Sequence, residues 1–315
     1  MNNKVEQLIN NIERSIIGKR PVIEKVVCAM LAGGHVLIED VPGVGKTLLA
    51  ETLAKSVSGS FGRIQFTPDL MPSDVIGYTV VDINTGKGSY KPGAAMCNFL
   101  LADEINRASP KVQSSLLEAM EEHQVTVDGV THPLPDPFVV LATQNPAGSA
   151  GTQMLPSAQL DRFLIRLSIG YPDRAGQVAL MKERHHANPL DQCRAIVDIP
   201  QLQKLIQETE QVYVSDAIYE YITDLAEATR ANEYIQLGVS PRGALSVCRT
   251  AKACAYLEGR DYVIPEDVEQ VLEPVCAHRL MLSGKARLHE YTAAGLLEEI
   301  KKTVHKPDVK EFQIG

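Results

Sequence analysis

A short apolar run passes directly into a glycine-rich loop in the stretch Val36-Leu37-Ile38-Glu39-Asp40-Val41-Pro42-Gly43-Val44-Gly45-Lys46-Thr47. The apolar run predicts a buried strand, and the residues from Lys46 to Ser56 predict a helix. Glycines at such a junction let backbone N–H groups turn inward, and a helix N-terminus favours a bound anion. The stretch therefore predicts a phosphate-binding loop, in which Lys46 contacts the β- and γ-phosphates and the Thr47 hydroxyl binds Mg²⁺.

One position of this loop departs from the pattern G-x-x-x-x-G-K-[ST], because Asp40 stands where the first glycine is expected. A plain turn between a strand and a helix is the alternative interpretation. The apolar run before the loop and the helical pattern after it favour phosphate binding.

A second apolar run, Phe99 to Leu101, leads to two carboxylates at Asp103 and Glu104. At the carboxyl edge of the same parallel sheet, both would face the phosphate loop. Asp103 is then predicted to bind Mg²⁺, directly or through water, and Glu104 to orient and activate a water molecule. An apolar run followed by Asp-Glu is common by chance, so this prediction depends on the loop that precedes it.

A third apolar run, Phe138 to Leu141, leads to Asn145, whose amide suits a γ-phosphate or an attacking water. A turn-initiating Asn before Pro146 is the alternative. Arg162 follows a loop and Arg242 opens a helix, and guanidinium groups suit the charge that spreads over γ-phosphate oxygens. For either arginine alone, a surface ion pair is the default interpretation.

Alternating apolar runs and amphipathic helices in the first part of the chain predict an α/β fold, a P-loop NTPase αβα core with a parallel sheet. Helical spacing then takes over, and Ser215 and Ser240 are typical of helix starts. We therefore predict a nucleotide-binding domain over residues 1–186, an all-helical domain over residues 187–300, which the family resemblance given below implies is a lid, and a tail over residues 301–315.

Composition excludes several function classes. The chain has 315 residues, and 31 Lys+Arg against 39 Asp+Glu give a net charge of −8, which disfavours nucleic acid as a partner. No apolar run approaches the ~20 residues that span a bilayer. The six cysteines include no Cys-x-x-Cys pair, so we expect buried thiols and a cytoplasmic protein rather than a disulfide framework or a zinc site.

Longer motifs occur in order along the chain, at residues 39–47 (EDVPGVGKT), 66–74 (FTPDLMPSD), 101–108 (LADEINRA), 115–122 (SLLEAMEE), 142–146 (ATQNP) and 159–163 (QLDRF). Together they resemble the MoxR family of AAA+ ATPases. The resemblance extends from the Ile17-Gly18 region to the Arg279-Leu280 region, and Asp40 in place of glycine is similar to what this family uses.

The resemblance implies a ring-shaped oligomer, usually a hexamer, that binds ATP and Mg²⁺. It implies that Asn145 is sensor 1 and that Arg242 is sensor 2, acting on ATP bound to the same chain. Arg162 would be the arginine finger that completes the neighbouring subunit's site, with Arg107 as a second candidate for contact across that interface.

The resemblance also implies which residues surround the nucleotide. These are Ile17 and Gly18 at the adenine base, and Pro42, Gly43, Val44, Gly45, Lys46, Thr47 and Leu48 around the phosphates. Residues 123–131 would form a hairpin before sensor 1, which the alternating valines around Asp128-Gly129 predict independently. Residues 71–93 would form an insertion, whose Gly and Pro content is typical of mobile loops.

The leading hypothesis is ATP hydrolysis coupled to the remodelling or maturation of a protein client, for example by insertion of a metal cofactor. Family context implies clients with a von Willebrand factor A domain. The alternatives are a DNA-dependent motor or chelatase-type subunit, and a slow nucleotide-dependent switch or scaffold. The acidic balance disfavours the motor, and the intact Asp103-Glu104 pair disfavours the slow switch.

Overall fold

The computed structural model describes residues 2–41, 43–145, 155–183 and 189–308. Helices of the core are α1 (Asn3–Glu13), α2 (Arg20–Leu31), α3 (Lys46–Ser56), α4 (Pro72–Ile76), α5 (Pro110–Glu122), α6 (Ser157–Leu160), α7 (Arg174–Glu183) and α8 (Pro189–Gln192). Strands of the core are β1 (Val36–Glu39), β2 (Phe61–Gln65), β3 (Tyr78–Val81), β4 (Gly88–Lys91), β5 (Phe99–Asp103), β6 (Gln124–Val127), β7 (Val130–Pro133), β8 (Val139–Gln144) and β9 (Ile165–Leu167). The lid follows with α9 (Ile199–Glu210), α10 (Asp216–Ala231), β10 (Ile235–Leu237), α11 (Pro241–Leu257), α12 (Pro265–Cys276), β11 (Met281–Leu282), α13 (Gly284–Leu288) and α14 (Ala293–Thr303).

A parallel sheet with the strand order β2-β5-β8-β1-β9 forms the centre of the core. Successive strand residues face opposite sides, so Val36 and Ile38 pack with α1, α2 and α3, whereas Leu37 packs with α5. The sequence prediction of an αβα core is confirmed. The predicted helices at residues 46–56 and 110–122 coincide with α3 and α5, and the three predicted apolar runs correspond to β1, β5 and β8.

The carboxyl ends of these three strands lie side by side. Ile38 of β1 is level with Thr143 of β8, and Ala102 of β5 is level with Ala142 of β8. Ligands of open parallel sheets bind at this edge. The fold thus places the residues that follow β1, β5 and β8 close to one another at the carboxyl edge of the sheet.

Two hairpins extend from the core. The predicted hairpin is confirmed as β6 and β7, joined by Asp128 and Gly129, whose φ values of 50° and 78° suit a type I′ turn. Residues 71–93, expected to form mobile loops, instead contain α4 and the hairpin of β3 and β4. Tyr90 of β4 stacks on His132 of β7 with ring centroids 3.8 Å apart, which holds the two hairpins together.

The helical lid is confirmed, with one addition, an antiparallel ribbon of β10 and β11. The predicted helix starts are also correct, because α10 follows Ser215 and α11 follows Ser240, whose Oγ accepts the Gly243 N–H at 3.0 Å. Arg249 of α11 donates to the Ala32 carbonyl oxygen at 2.6 Å, just before β1. The lid therefore contacts the core near the amino ends of the strands.

The predicted domain limits stay a prediction. The boundary between residues 186 and 187 lies outside the described residues. Helix α14 continues to Thr303, so the predicted tail over residues 301–315 begins inside this helix, and residues 309–315 lie outside the described residues. Within the described ranges, no helix has the length and apolar character required to cross a membrane.

Gly34 offers a test of how closely the segment before β1 packs against the segment before β9. A Cβ atom there would overlap the Leu164 side chain, which is buried just before β9. We expect Gly34→Ala to lower the free energy of unfolding by about 1–3 kcal/mol, because the added Cβ would lie 2.4 Å from Leu164 Cβ, which cannot move away by side-chain rotation. Chemical denaturation measures this. Gly284→Ala is the matched control, since no heavy atom lies within 4 Å of its added Cβ; equal stability of the two variants would contradict the expectation.

Candidate active site

The phosphate loop lies between β1 and α3. Gly43 and Gly45 have φ values of 87° and 96°, a region that favours glycine, and no heavy atom lies within 4 Å of where a Cβ would be at either position. The loop thus leaves an open cradle at the N-terminus of α3, where the helix dipole favours an anion. Pro42, also predicted to contact the phosphates, lies outside the described residues.

Lys46 is buried at the first position of α3, and its Nζ donates to the Asp40 carbonyl oxygen at 2.8 Å. Burial lowers the pKa of Lys46, whereas the nearby carboxylates of Asp103, Asp40 and Glu104 act in the opposite direction. The ammonium group therefore lies among carboxylates beside the open cradle, where a phosphate would give it a further partner.

Asp40, which replaces the first glycine of the pattern, connects the loop to the chain after β9. Its Oδ2 accepts the N–H groups of Ile169 and Gly170, each at 2.7 Å, and the Ser168 hydroxyl at 3.0 Å. Burial alone would raise the pKa of Asp40, but these hydrogen bonds outweigh it and lower the pKa below its ordinary value. The departure from glycine thus has a structural role, which is to anchor the start of the loop.

The acidic pair lies where the sequence predicts, at the end of β5. Asp103 Oδ2 is 3.1 Å from Arg63 Nη2, and Glu104 follows in a left-handed conformation with φ 55° and ψ 48°. This conformation is costly for a residue other than glycine and persists only where the surroundings hold it. The turn directs the two carboxylates to different partners.

Glu104 is held by three side chains. Its Oε2 accepts from Arg107 Nη1 and Gln65 Nε2, both at 2.8 Å, and its Oε1 accepts from Asn145 Nδ2 at 2.9 Å. The Arg107 hydrogen bond is the largest cause of a lowered pKa at Glu104; burial opposes it, and Asn145 and Gln65 contribute. Asn145, the predicted sensor, therefore contacts the acidic pair directly, while Arg107 pairs with Glu104 of the same chain.

Thr143 is a site residue that sequence reasoning missed. Its side chain is fully buried, and its Oγ1 accepts the Glu104 N–H at 2.8 Å while donating to Asp103 Oδ1 at 2.6 Å. One hydroxyl thus fixes both the Glu104 backbone and the Asp103 carboxylate. The available signal was a polar residue inside an otherwise apolar strand. Gln65 was also missed. It was harder to find from the sequence, because it ends the edge strand β2, which lacks a long apolar run.

The predicted base-binding residues are linked to the phosphate loop through the segment after β9. Ile17 is half-buried and Gly18 is exposed in the turn between α1 and α2. The next residue, Lys19, donates from Nζ to the Tyr171 carbonyl oxygen at 2.7 Å, and Gly170 is one of the residues that Asp40 holds. Lys19 therefore connects the turn that contains Ile17 and Gly18 to the segment that anchors Asp40.

Arg162 and Arg242 do not lie at this edge. Arg162 Nη2 is 3.1 Å and Arg242 Nη1 is 3.0 Å from different oxygens of Glu121, near the end of α5. The neighbouring Met120 carbonyl is 3.1 Å from His35 Nε2, which marks this as the amino edge of the sheet. At about 3.3 Å per residue, β1 separates the two edges by about 13 Å.

The expectation that Arg242 acts on nucleotide bound to its own chain is therefore not met in this structure. The reason is the position of the lid on the core. Arg249, two turns beyond Arg242 on α11, donates a hydrogen bond to the carbonyl oxygen of Ala32, which precedes β1. The start of α11 consequently faces the amino edge, together with Arg162.

Comparisons with known proteins agree with this architecture. Residues 35–165 match the family described as ATPase family associated with various cellular activities (AAA), and residues 227–300 match the AAA lid domain. The chain is 45% identical over 299 residues to YeaC of Bacillus subtilis, covering 95% of this chain and 93% of YeaC. It is 39% identical over 314 residues to the chaperone MoxR1 of Mycobacterium tuberculosis, covering 97% of this chain and 83% of MoxR1.

The chain belongs to the MoxR family of AAA+ ATPases. A solved structure of a Cytophaga hutchinsonii protein supports the fold, with a TM-score of 0.90 and 38% identity over 97% of this chain and 96% of that one. Membership of this ATPase family agrees with the phosphate loop, the acidic pair and the lid. In this chain, the phosphate loop and the acidic pair thus lie at one edge of the sheet, and Arg162 and Arg242 lie at the other.

Thr143 gives a test of how the acidic pair is held. Thr143→Val keeps the shape of the side chain but leaves the Glu104 N–H and Asp103 without the hydroxyl. We expect the free energy of unfolding to fall by about 1–3 kcal/mol. We expect the rate of ATP hydrolysis to fall roughly 10- to 100-fold, because the carboxylates shift. Thr143→Ser retains the hydroxyl and should stay near the wild type in both measurements; a fully active Thr143→Val would contradict this role.

Arg107 gives a test based on pH. A water-activating carboxylate must be ionised, so activity falls as the pH drops through the pKa of Glu104. Because Arg107 lowers that pKa in the nucleotide-free protein, Arg107→Gln should move the acid limb of the kcat/KM profile to higher pH, whereas Arg107→Lys should move it less. Steady-state ATP hydrolysis across a pH series measures the shift. An acid limb at the same pH in all three proteins would show that Glu104 is not the group that titrates.

Proposed function

We propose that this MoxR protein hydrolyses ATP with Mg²⁺ in a ring-shaped oligomer, usually a hexamer, and uses the reaction to remodel or mature a protein client. The observation that carries the proposal is the meeting of Lys46, Asp103, Glu104 and Asn145 at the carboxyl edge of the sheet, beside an open phosphate cradle. Each of these groups matches a need of phosphoryl transfer to water.

The residues present suit ATP and Mg²⁺. The loop from Gly43 to Leu48 would bind the phosphates through backbone N–H groups and Lys46. The Thr47 hydroxyl and the Asp103 carboxylate are hard oxygen donors of the kind that Mg²⁺ prefers, and they would hold it. The metal ion, when bound, neutralises charge on the β- and γ-phosphates. Ile17 and Gly18 would contact the base.

Glu104 is the proposed general base. Its carboxylate accepts the proton of a water whose oxygen attacks the γ-phosphorus. The bond between the γ-phosphorus and the bridging oxygen breaks, which leaves ADP and inorganic phosphate. Asn145 orients the water or a γ-phosphate oxygen. Thr143 positions both carboxylates through its one hydroxyl.

Arg162 and Arg242 are proposed to act on ATP bound to the neighbouring subunit. Their place at the amino edge supports this assignment, because the length of β1, about 13 Å, separates this edge from the edge that carries the phosphate loop. For Arg242 it replaces the assignment to the same chain that the resemblance implied. Head-to-tail contact of one edge with the other generates a closed ring when the rotation closes. Arg107, paired with Glu104, is assigned to its own chain.

The client is proposed to be a protein, in agreement with the acidic net charge of −8 and with the name of the relative, chaperone MoxR1. A von Willebrand factor A domain is the proposed feature of such a client, and insertion of a metal cofactor is one form that maturation would take. The proposed location is the cytoplasm, in agreement with six free thiols.

Glu104→Gln tests the proposed reaction directly. The amide keeps the size of the side chain but cannot accept the proton, so the variant should bind ATP with near wild-type affinity while its turnover falls at least about 100-fold. Equilibrium binding of a fluorescent ATP analogue and phosphate release measure the two quantities. Lys46→Ala is the companion variant that should lose binding itself. Unchanged turnover in Glu104→Gln would remove Glu104 as the base, and absence of ATPase activity in the assembled wild type would refute the function.

A further inference from the structure

Glu121 forms a junction between the two domains that the proposed reaction does not yet explain. Its Oε2 lies 3.1 Å from Nη2 of Arg162, which belongs to the core, and its Oε1 lies 3.0 Å from Nη1 of Arg242, which belongs to the lid. The two arginines are 80 residues apart along the chain (242 − 162), yet one carboxylate holds both. No other described carboxylate lies within ion-pairing distance of either one in the structure.

This junction is open to solvent rather than part of the core. The side chains of Glu121, Arg162 and Arg242 retain 35%, 30% and 50% of their exposure. Glu121 and Arg162 also line a surface cleft, together with Gln159 of α6 and further residues of α5. Ion pairs with this exposure add little to stability. A purely stabilising role is therefore a weak explanation for a carboxylate shared between two domains.

Electrostatics suggests a different role. Two guanidinium groups held close together repel each other, and a carboxylate between them offsets that repulsion. A guanidinium has N–H donors on three nitrogens, so one contact with Glu121 leaves each arginine able to donate to a further anion. Planar, delocalised groups of this kind are suited to the oxygens of a transferring phosphoryl group.

We propose that Glu121 is a positioning residue that holds Arg162 and Arg242 as one pair and presents the pair to ATP bound by the neighbouring subunit. The inference rests on the proposed function. It adds that Arg162 of the core and Arg242 of the lid are positioned together at the neighbouring subunit's ATP. Glu121 does not touch the nucleotide; it sets the spacing of the two groups that do. Arg242 belongs to the lid. The position of the lid in one subunit therefore affects the geometry of the active site that binds ATP in the neighbouring subunit.

Glu121→Gln tests the proposal, because it keeps the size of the side chain and removes the charge. We expect kcat for ATP to fall roughly 10- to 100-fold, as misplacement of catalytic groups does, with KM and ATP binding close to the wild type. Glu121→Asp keeps the charge on a shorter side chain and should recover part of the activity. Glu118→Gln and Glu122→Gln, exposed neighbours on the same helix, are the matched controls and should stay near the wild type.

Mixing variants separates positioning in the neighbour's site from a structural defect. Glu121→Gln subunits keep an intact phosphate loop, and Lys46→Ala subunits keep an intact arginine pair, so neither alone should hydrolyse ATP well. In an equal mixture, about a quarter of the head-to-tail interfaces join an intact loop to an intact pair. We therefore expect turnover per subunit to recover to about a quarter of the wild-type value if subunits mix at random.

Each other outcome decides against the proposal. Wild-type turnover in Glu121→Gln would show that the arginines need no shared carboxylate. Low turnover that mixing does not restore would place the effect of Glu121 within its own chain, and equal losses in the Glu118 and Glu122 variants would reduce it to surface charge. Loss of the proposed function is distinguishable, since the assembled wild type would then be inactive before any substitution.

Discussion

Parallel hydrogen bonding among β5, β8 and β1 is the constraint on which the rest of the molecule depends. Its register sets Ile38 level with Thr143 and Ala102 level with Ala142, so the three strands end at nearly the same height. A slip of one residue would turn every side chain of a strand to the opposite face and separate Thr143 from Asp103. The register thus brings the polar residues at the ends of three strands together in one cluster next to the phosphate loop.

The site contains two kinds of contact: hydrogen bonds that are costly to break and ion pairs that are easily replaced. Thr143 accepts a partly buried backbone N–H group and Asp40 accepts a buried one, where an unsatisfied group is costly, so these contacts hold their geometry. Arg63 on Asp103 and Arg107 on Glu104 form partly exposed ion pairs, which contribute little to stability. Under the proposed function, a metal-bound nucleotide would replace the arginines at small cost without disturbing the backbone that holds the carboxylates.

The polarity of a parallel sheet also explains why the acidic pair and the two arginines lie at opposite edges of the core. All the strands point the same way, so the loop and the acidic pair lie at one edge, while the segment before β9 and the end of α5 lie at the other. The lid adds Arg242 to this second edge, because α11 rests on the chain before β1. Under the proposed function, this division makes hydrolysis depend on the neighbouring subunit.

Local pattern alone was sufficient for much of this protein. The helix at residues 46–56, the turn at Asp128-Gly129 and the start of α11 after Ser240 each depend on residues close together in the chain, and the structure has them as predicted. The phosphate loop and the acidic pair were found for the same reason, since their side chains directly follow apolar strands.

The remaining features join residues far apart in sequence. The Thr143 bridge spans 40 residues, and Glu121 joins an arginine 41 residues away to another 121 residues away, separations at which no periodicity or spacing carries a signal. The seating of the lid, which placed Arg242 at the edge opposite to its expected position, depends on contacts between α11 and the core. By itself the sequence determined the strands, loop and helices that can bind phosphate, because those choices are made over a few residues. Only the tertiary structure decided which hydroxyl holds the carboxylates and which edge the arginines face, because packing between distant elements sets both.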